Sequence, residues 1–381
     1  MNDDSQLVEV EHAQIAESAR IGRQVRIRAR ELSLGASATI EDGVSVDADV
    51  VVLEAGARLG PGVRVAAKHF ELGMRSRIDA DCRIAAVGGM AEKVVFGDHC
   101  YLGPSSNVLV PELLVGDYVK IHNHTLINGF RPCYIGHNSW VGQNCVLNAN
   151  DVLFIGNNVG IGTYSSIWTH AFFGELLEGA QVFSVAPTII EDDAWLVGAY
   201  NVISPGLTIG RRAMVLTSSV VSRSVPAEHT VAGVPARDVT DRVAAVRSVA
   251  PLEKLDLMRG FVREFVEQVY PGQHSAIDSG QHIEPALGQP FDILVCEDLA
   301  DAHVAGRGPT LAYALNDRRT HSAHGVTYFD LTRKCYDKQR SEPEIQIISF
   351  MNSYRARFVP RGKERIGTIP GRSGESGLDP Q

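Results

Sequence analysis

A single histidine, His170, stands at the edge of a long break in an otherwise regular sequence. Ile155, Ile161 and Ile167 follow one another at six-residue intervals, and the rhythm halts at Trp168-Thr169-His170. Residues 171–189 carry no repeat and are rich in Phe, Gly and Glu, and the rhythm resumes at Ile190 as IEDDAW. A neutral imidazole accepts a proton near pH 7, so a histidine in this position is suited to general-base chemistry. Asn148, Asn150 and Trp168 are candidate substrate contacts, and Glu175 and Glu178, inside the break, are candidates to orient His170 or to meet an amine. Neither Ser165 nor Cys145 sits in an elbow-type motif, so the chain offers a base without an evident protein nucleophile.

Those residues hang on a repeat. From about residue 8 to residue 237, an aliphatic residue recurs with a small residue four places later, as in Ile21 (IGRQVR), Leu59 (LGPGVR), Leu102 (LGPSSN), Ile135 (IGHNSW) and Ile209 (IGRRAM). Helical spacing of three and four is absent, which makes the segment β in character. Six residues make one short strand and a corner, and three such units make a triangular coil of about 18 residues with the aliphatic side chains inside. About ten coils give a prism on the order of 50 Å long. In the middle of it Val115, Ile135 and Ile155 lie twenty residues apart, as do Ile127, Leu147 and Ile167, so two extra residues enlarge the corner after the third strand. This register stacks Phe130, Asn150 and His170, and likewise Asn128, Asn148 and Trp168, on that enlarged edge.

The repeat resembles the hexapeptide-repeat acyltransferases, whose fold is a left-handed parallel β-helix. The most specific stretch is PTIIEDDAWLVGAYNVISPGLTIGRRAM through VAGVPARDV, which resembles the closing coils of sugar and xenobiotic acetyltransferases. WLVGAYN carries one residue more than the family pattern, which predicts a local bulge. The resemblance implies that His170 is the general base for direct attack on an acetyl-coenzyme A (acetyl-CoA) thioester, or another acyl-CoA, by an amine or hydroxyl. It further implies an acceptor that is a sugar or nucleotide sugar, and a homotrimer with sites between prisms. Gly198, Ser204, Gly206 and Ser218 would let a pantetheine arm lie against the backbone, and Arg211, Arg212 and Arg237 would meet coenzyme A phosphates. Two other readings stand beside this one. His99, His122, His124 and His137 could serve a γ-class zinc carbonic anhydrase, though without that family's histidine spacing. A non-catalytic β-helix scaffold is the other.

The rest of the chain sets bounds. With 381 residues, 44% of them hydrophobic, and a net charge of −9, the sequence has no concentrated basic face and argues against nucleic acid as the main partner. Six cysteines without C-x-x-C spacing read as buried thiols, and no metal is expected. The acidic N-terminus and the lack of a long apolar run point to a cytoplasmic protein with no membrane partner. Beyond the repeat, residues 238–270 are expected to hold a helix, 271–290 a linker, 291–360 a small α/β module opened into its helix by Ser341 and Glu344, and 361–381 a disordered tail.

Overall fold

The computed structural model describes residues 7–298, 308–316, 325–353 and 355–367. It divides into a solenoid unit that runs to Val246 and is rejoined at Arg365, and a second unit, Arg247–Glu364.

The first unit is a parallel β-solenoid. Leu7, Arg26, Ser45, Arg64, Arg83, Asn107, Leu126, Val146, Ser166, Val202 and Val220 are successive register partners on one face. Parallel pairing demands a crossover between neighbours, and here the crossover is the rest of the coil. The aliphatic residues of the repeat point inward, and Ile121, Ile135, Ile155, Ile161, Ile167 and Ile190 are fully buried. The first of the three faces carries Cys133–Ile135, Leu153–Ile155 and Thr188–Ile190. The second face carries Trp140–Val141, Gly160–Thr163 and Trp195–Ala199, and the third carries Val146–Ala149, Ser166–Ile167 and Val202–Ile203.

The first coils are nineteen residues long rather than 18, as the pairing of Arg26 with Ser45 and of Ser45 with Arg64 requires. Their third and first faces merge into one nine-residue strand. In Ser45–Leu53 the buried residues are Val46, Ala48, Val51 and Leu53, so the alternation slips by one at Asp49-Val50 and the strand bends there. In the twenty-residue coils the same corner is an open turn, Phe130–Pro132, between the strands Leu126–Gly129 and Cys133–Ile135. The enlarged corner is therefore where the spacing placed it.

The small residue of the repeat has a defined task. Ser139 Oγ donates to the Gly156 carbonyl at 2.8 Å and accepts from Val159 N–H at 3.0 Å, so one buried hydroxyl satisfies two backbone groups of the next coil. Ser76 does the same for Gly97 and Cys100. Cys145 substitutes a thiol, which donates to the Gly162 carbonyl at 3.2 Å. A second column follows the corner between the first and second faces. There Asp117 accepts from Asp98 N–H, His137 Nδ1 from Asp117 N–H, Asn157 from His137 N–H and Asp192 from Asn157 N–H, all at 2.7–2.8 Å. The strand Arg237–Asp238 closes the array by pairing antiparallel with Thr230–Ala232.

Among the described residues the second unit is a seven-stranded mixed sheet with two helices. Its helix Pro251–Val269 buries Leu255, Met258, Val262, Phe265 and Val266, whereas the apolar Leu252 and Val269 at its two ends are exposed. The segment read as a linker instead holds a hairpin, His274–Ile277 with Gly280–Ile283, whose second strand pairs with Phe291–Asp298. Its glycines serve the turn and a close approach: a β-carbon at Gly280 would collide with the Ile293 carbonyl. The strand Thr310–Asn316 lies between Phe291–Asp298 and Val326–Asp330 and escaped notice because it is an apolar run buried on both faces. Ser341 caps the helix Glu342–Met351 as expected. Of the expected tail, residues 368–381 lie outside the described residues. None of the helices among the described residues is long and apolar enough to cross a membrane.

Candidate active site

At the enlarged corner the chain leaves the solenoid as an antiparallel hairpin, His170–Phe173 with Val182–Val185. His170 is its first paired residue. Rather than stacking on Asn150, it turns its ring onto Asn148, with Nδ1 2.7 Å from Asn148 Oδ1.

Asn148 is buried in the strand Val146–Ala149, and its amide orientation is fixed from several sides. Its Oδ1 faces the backbone N–H groups of Asn150 at 3.3 Å and Thr169 at 3.4 Å, and the Thr169 hydroxyl at 2.9 Å. Its Nδ2 donates to the Asn128 carbonyl at 3.3 Å. Turning the amide over would aim an NH2 at two backbone donors and an oxygen at a carbonyl. The atom facing His170 is therefore an acceptor, and Nδ1 carries the ring proton. The other nitrogen, Nε2, holds a lone pair.

Aromatic rings flank this imidazole. Trp168 meets it edge-on at 5.6 Å between centroids, and Phe172 lies at 4.9 Å on the other side, followed by Phe183 at 4.6 Å from Phe172. His170 and Phe172 share one hairpin face with their cross-strand partners Val185 and Phe183. The structure thus gathers Asn148, Asn150, Trp168 and His170. It does not bring Glu175 or Glu178 to them: both are exposed in the hairpin turn, beyond the end of the strand at Phe173.

The residues expected to hold coenzyme A divide among three corners of one prism. Ser204 and Gly206 follow Val202–Ile203 and share the corner of His170. Gly206 has φ +74° and abuts Ala186, at the hairpin's return. Arg211 and Arg212 lie at the corner between the first and second faces, where Arg212 pairs with Glu228 at 3.0 Å. Gly198 and Ser218 lie at the corner between the second and third faces, and Arg237 is in the closing strand. The extra residue of WLVGAYN appears as the expected bulge: Ile161 pairs with Leu196 but Thr163 with Ala199, and Gly198 takes φ +77°. An arginine that sequence reasoning missed, Arg223, is exposed in the turn between Val220–Val221 and Val225, on the corner of His170, Ser204 and Gly206. The register would have found it, since Ile203 and Val221 are partners and the turns after them must stack.

Other candidate groups are occupied elsewhere. Cys145 is buried and its thiol is pushed up to about 11 by desolvation, so it is protonated at neutral pH. His122 Nε2 accepts the indole N–H of Trp140 at 2.7 Å, His137 Nδ1 accepts a backbone N–H, and His99 stacks on Tyr118. Among the described residues no group of three or more His, Cys, Asp or Glu side chains is arranged to hold a metal ion.

No family model matches the chain. Among curated proteins it is 31% identical over 114 residues to the galactoside O-acetyltransferase of Escherichia coli K12, spanning 29% of this chain and 55% of that protein. It is 39% identical over 93 residues to the 2,3,4,5-tetrahydropyridine-2,6-dicarboxylate N-acetyltransferase of Staphylococcus aureus JH9, spanning 23% and 38%. The chain thus spans about half, or less, of the curated relatives it matches. A solved maltose O-acetyltransferase from Clostridium difficile 630 overlaps at 24% identity over 30% of this chain and 65% of that one, with a TM-score of 0.26. The chain is a parallel β-solenoid of hexapeptide repeats, similar over part of its length to the hexapeptide-repeat acetyltransferases.

Proposed function

We propose that the protein is a coenzyme A-dependent acyltransferase with His170 as general base. The observation that carries this reading is the Asn148–His170 contact, which in the neutral imidazole assigns the proton to Nδ1 and the lone pair to Nε2. An acceptor hydroxyl or amine attacks the thioester carbonyl of an acyl-CoA, and Nε2 takes the proton that the nucleophile loses. The tetrahedral intermediate collapses, the carbon–sulfur bond breaks, and the leaving thiolate recovers the proton from His170. No acyl-enzyme is required, in keeping with the buried, protonated Cys145.

The donor arm lies on the corner of His170, across the small residues Ser204 and Gly206 toward Arg223. Arg211, Arg212, Gly198 and Ser218, which face away from this corner, serve a site only if a second copy presents them, as in a homotrimer with sites between prisms. The acceptor is a sugar or a related small molecule, admitted past Trp168 and Phe172, whose rings suit the apolar face of a pyranose.

His170→Ala is expected to lower acetyl-CoA turnover by about 10²–10⁴-fold with the solenoid intact by circular dichroism. Mass spectrometry of a mixed pool of sugars and amino sugars supplied with acetyl-CoA identifies the acceptor. Substantial turnover by the folded variant would remove His170 from the mechanism.

A further inference from the structure

The second face of the solenoid carries a feature unconnected with the His170 corner. Outward positions of a solenoid face are ordinarily charged or polar, and the first coils obey this. Farther on, the outward column reads Arg58, Arg77, Tyr101, Lys120, Trp140, Gly160 on successive coils, cations giving way to aromatic rings. In the neighbouring outward column His122 lies between Gly103 and Gly142, which leaves room for its ring to lean between Tyr101 and Trp140.

These rings are held as one surface. Trp140 Nε1 donates to His122 Nε2 at 2.7 Å, His122 lies 5.2 Å from Trp140 and 5.8 Å from Tyr101 between centroids, and the Tyr101 hydroxyl donates to Asp79 at 3.2 Å. The Arg77 guanidinium lies over the Tyr101 ring, 4.7 Å from its centroid. All three rings are half-buried, and each keeps a surface to solvent. Lys120 is exposed beside them, with no acidic partner among the described residues. Arg77 is only loosely paired, 3.7 Å from Asp79.

We propose that this face binds an acidic oligosaccharide, its pyranose rings lying on Tyr101, His122 and Trp140 and its carboxylates meeting Lys120 and Arg77. Aromatic rings repeated coil by coil match a ligand that is itself a repeat of flat, amphipathic units, since the C–H face of a sugar stacks on a π face while its rim of hydroxyls stays hydrated. The two cations select for negative charge on that ligand. A second prism is a poorer occupant, because closing a dry interface would strip water from Lys120 and Arg77 without supplying a matched acid. Single-stranded nucleic acid also stacks on aromatic rings, but its affinity depends on neutralising many phosphates along the strand, and among the described residues only the two cations Lys120 and Arg77 stand beside these rings.

The test uses the full chain and needs no thioester, so it stands or falls apart from the acyltransferase reading; His170→Ala should bind as the parent does. Oligogalacturonate, a neutral maltooligosaccharide and a single-stranded oligonucleotide are titrated by calorimetry and tryptophan fluorescence, with sedimentation velocity run on every variant. Oligogalacturonate should bind best and weaken with salt. Trp140→Ala and Tyr101→Ala should each reduce its affinity on the order of tenfold, the loss of one stacked ring. Lys120→Gln should erase the preference over the neutral sugar. The proposal is overturned if no saccharide binds, if the oligonucleotide binds as tightly as oligogalacturonate, or if the folded Tyr101→Ala protein changes its sedimentation while saccharide binding is unaltered.

Discussion

In the proposed mechanism Asn148 decides which nitrogen of His170 is free to act. Its Oδ1 is hemmed by two backbone N–H groups and a hydroxyl, and the imidazole takes the remaining approach at 2.7 Å. In Asn148→Ala the ring loses both its partner and its tautomeric preference, while Asn148, being buried, leaves the surface of the proposed acceptor site unaltered. Steady-state kinetics on that variant should show kcat down by roughly ten- to a hundredfold with KM little changed, because the base itself remains. An unchanged kcat would mean that another group orients His170. Sequence alone pointed to Asn148 and to His170 separately but stacked His170 on Asn150. The contact with Asn148 depends on how the imidazole turns at the start of the hairpin, which residue spacing does not encode. Arg223 went unread although its turn, Ser222-Arg223-Ser224, follows the register: it lies one coil beyond Ser204 and Gly206, where the reading of this corner stopped.

At the scale of the coil, corner side chains act as acceptors for the backbone of the preceding coil, and Asp192 is the costly member of that column. Its Oδ1 receives Asn157 N–H at 2.7 Å, yet burial raises its pKa above the ordinary carboxylate value, with the neighbouring Asp193 adding to the shift. A raised carboxylate pKa means that ionisation opposes folding: the penalty is absent below about pH 4 and grows as pH rises through the folded pKa. Asp192→Asn keeps an acceptor for Asn157 N–H and removes the buried charge. Its melting temperature at pH 7 should equal or exceed that of the parent, with any gain vanishing toward pH 4; a clear loss at pH 7 would show that the charge itself is needed. The repeat, the enlarged corner and the bulge at Gly198 were all legible as spacing, because one inward residue per strand is enforced by burial. The two hairpins were not. His170–Phe173 and Val182–Val185 are apolar on both faces and so have no alternation to read, and His274–Ile283 is half polar and glycine-bearing, like a linker.

Across the whole molecule the two units were separable in sequence by the change of period after Arg237, whereas the sheet of the second unit was only half visible, its strand Thr310–Asn316 being a short apolar run of the kind that periodicity cannot classify. The solenoid has a further property. Its nineteen-residue coils make the N-terminal half a counted ruler, in which any whole coil is interchangeable with its neighbour and every smaller cut is not. Excising residues 45–63 joins Val44 to Arg64, which already occupies the register position of Ser45, so the shortened prism should fold with its His170 corner, and its turnover, intact. Excising residues 45–62 instead would present Val63 where Arg64 belongs and turn the inward residues of the next strand toward water; soluble expression and circular dichroism distinguish the two. Length along this axis is thus a quantity that can change by duplication or loss of one coil at a time, leaving the His170 corner at the other end untouched.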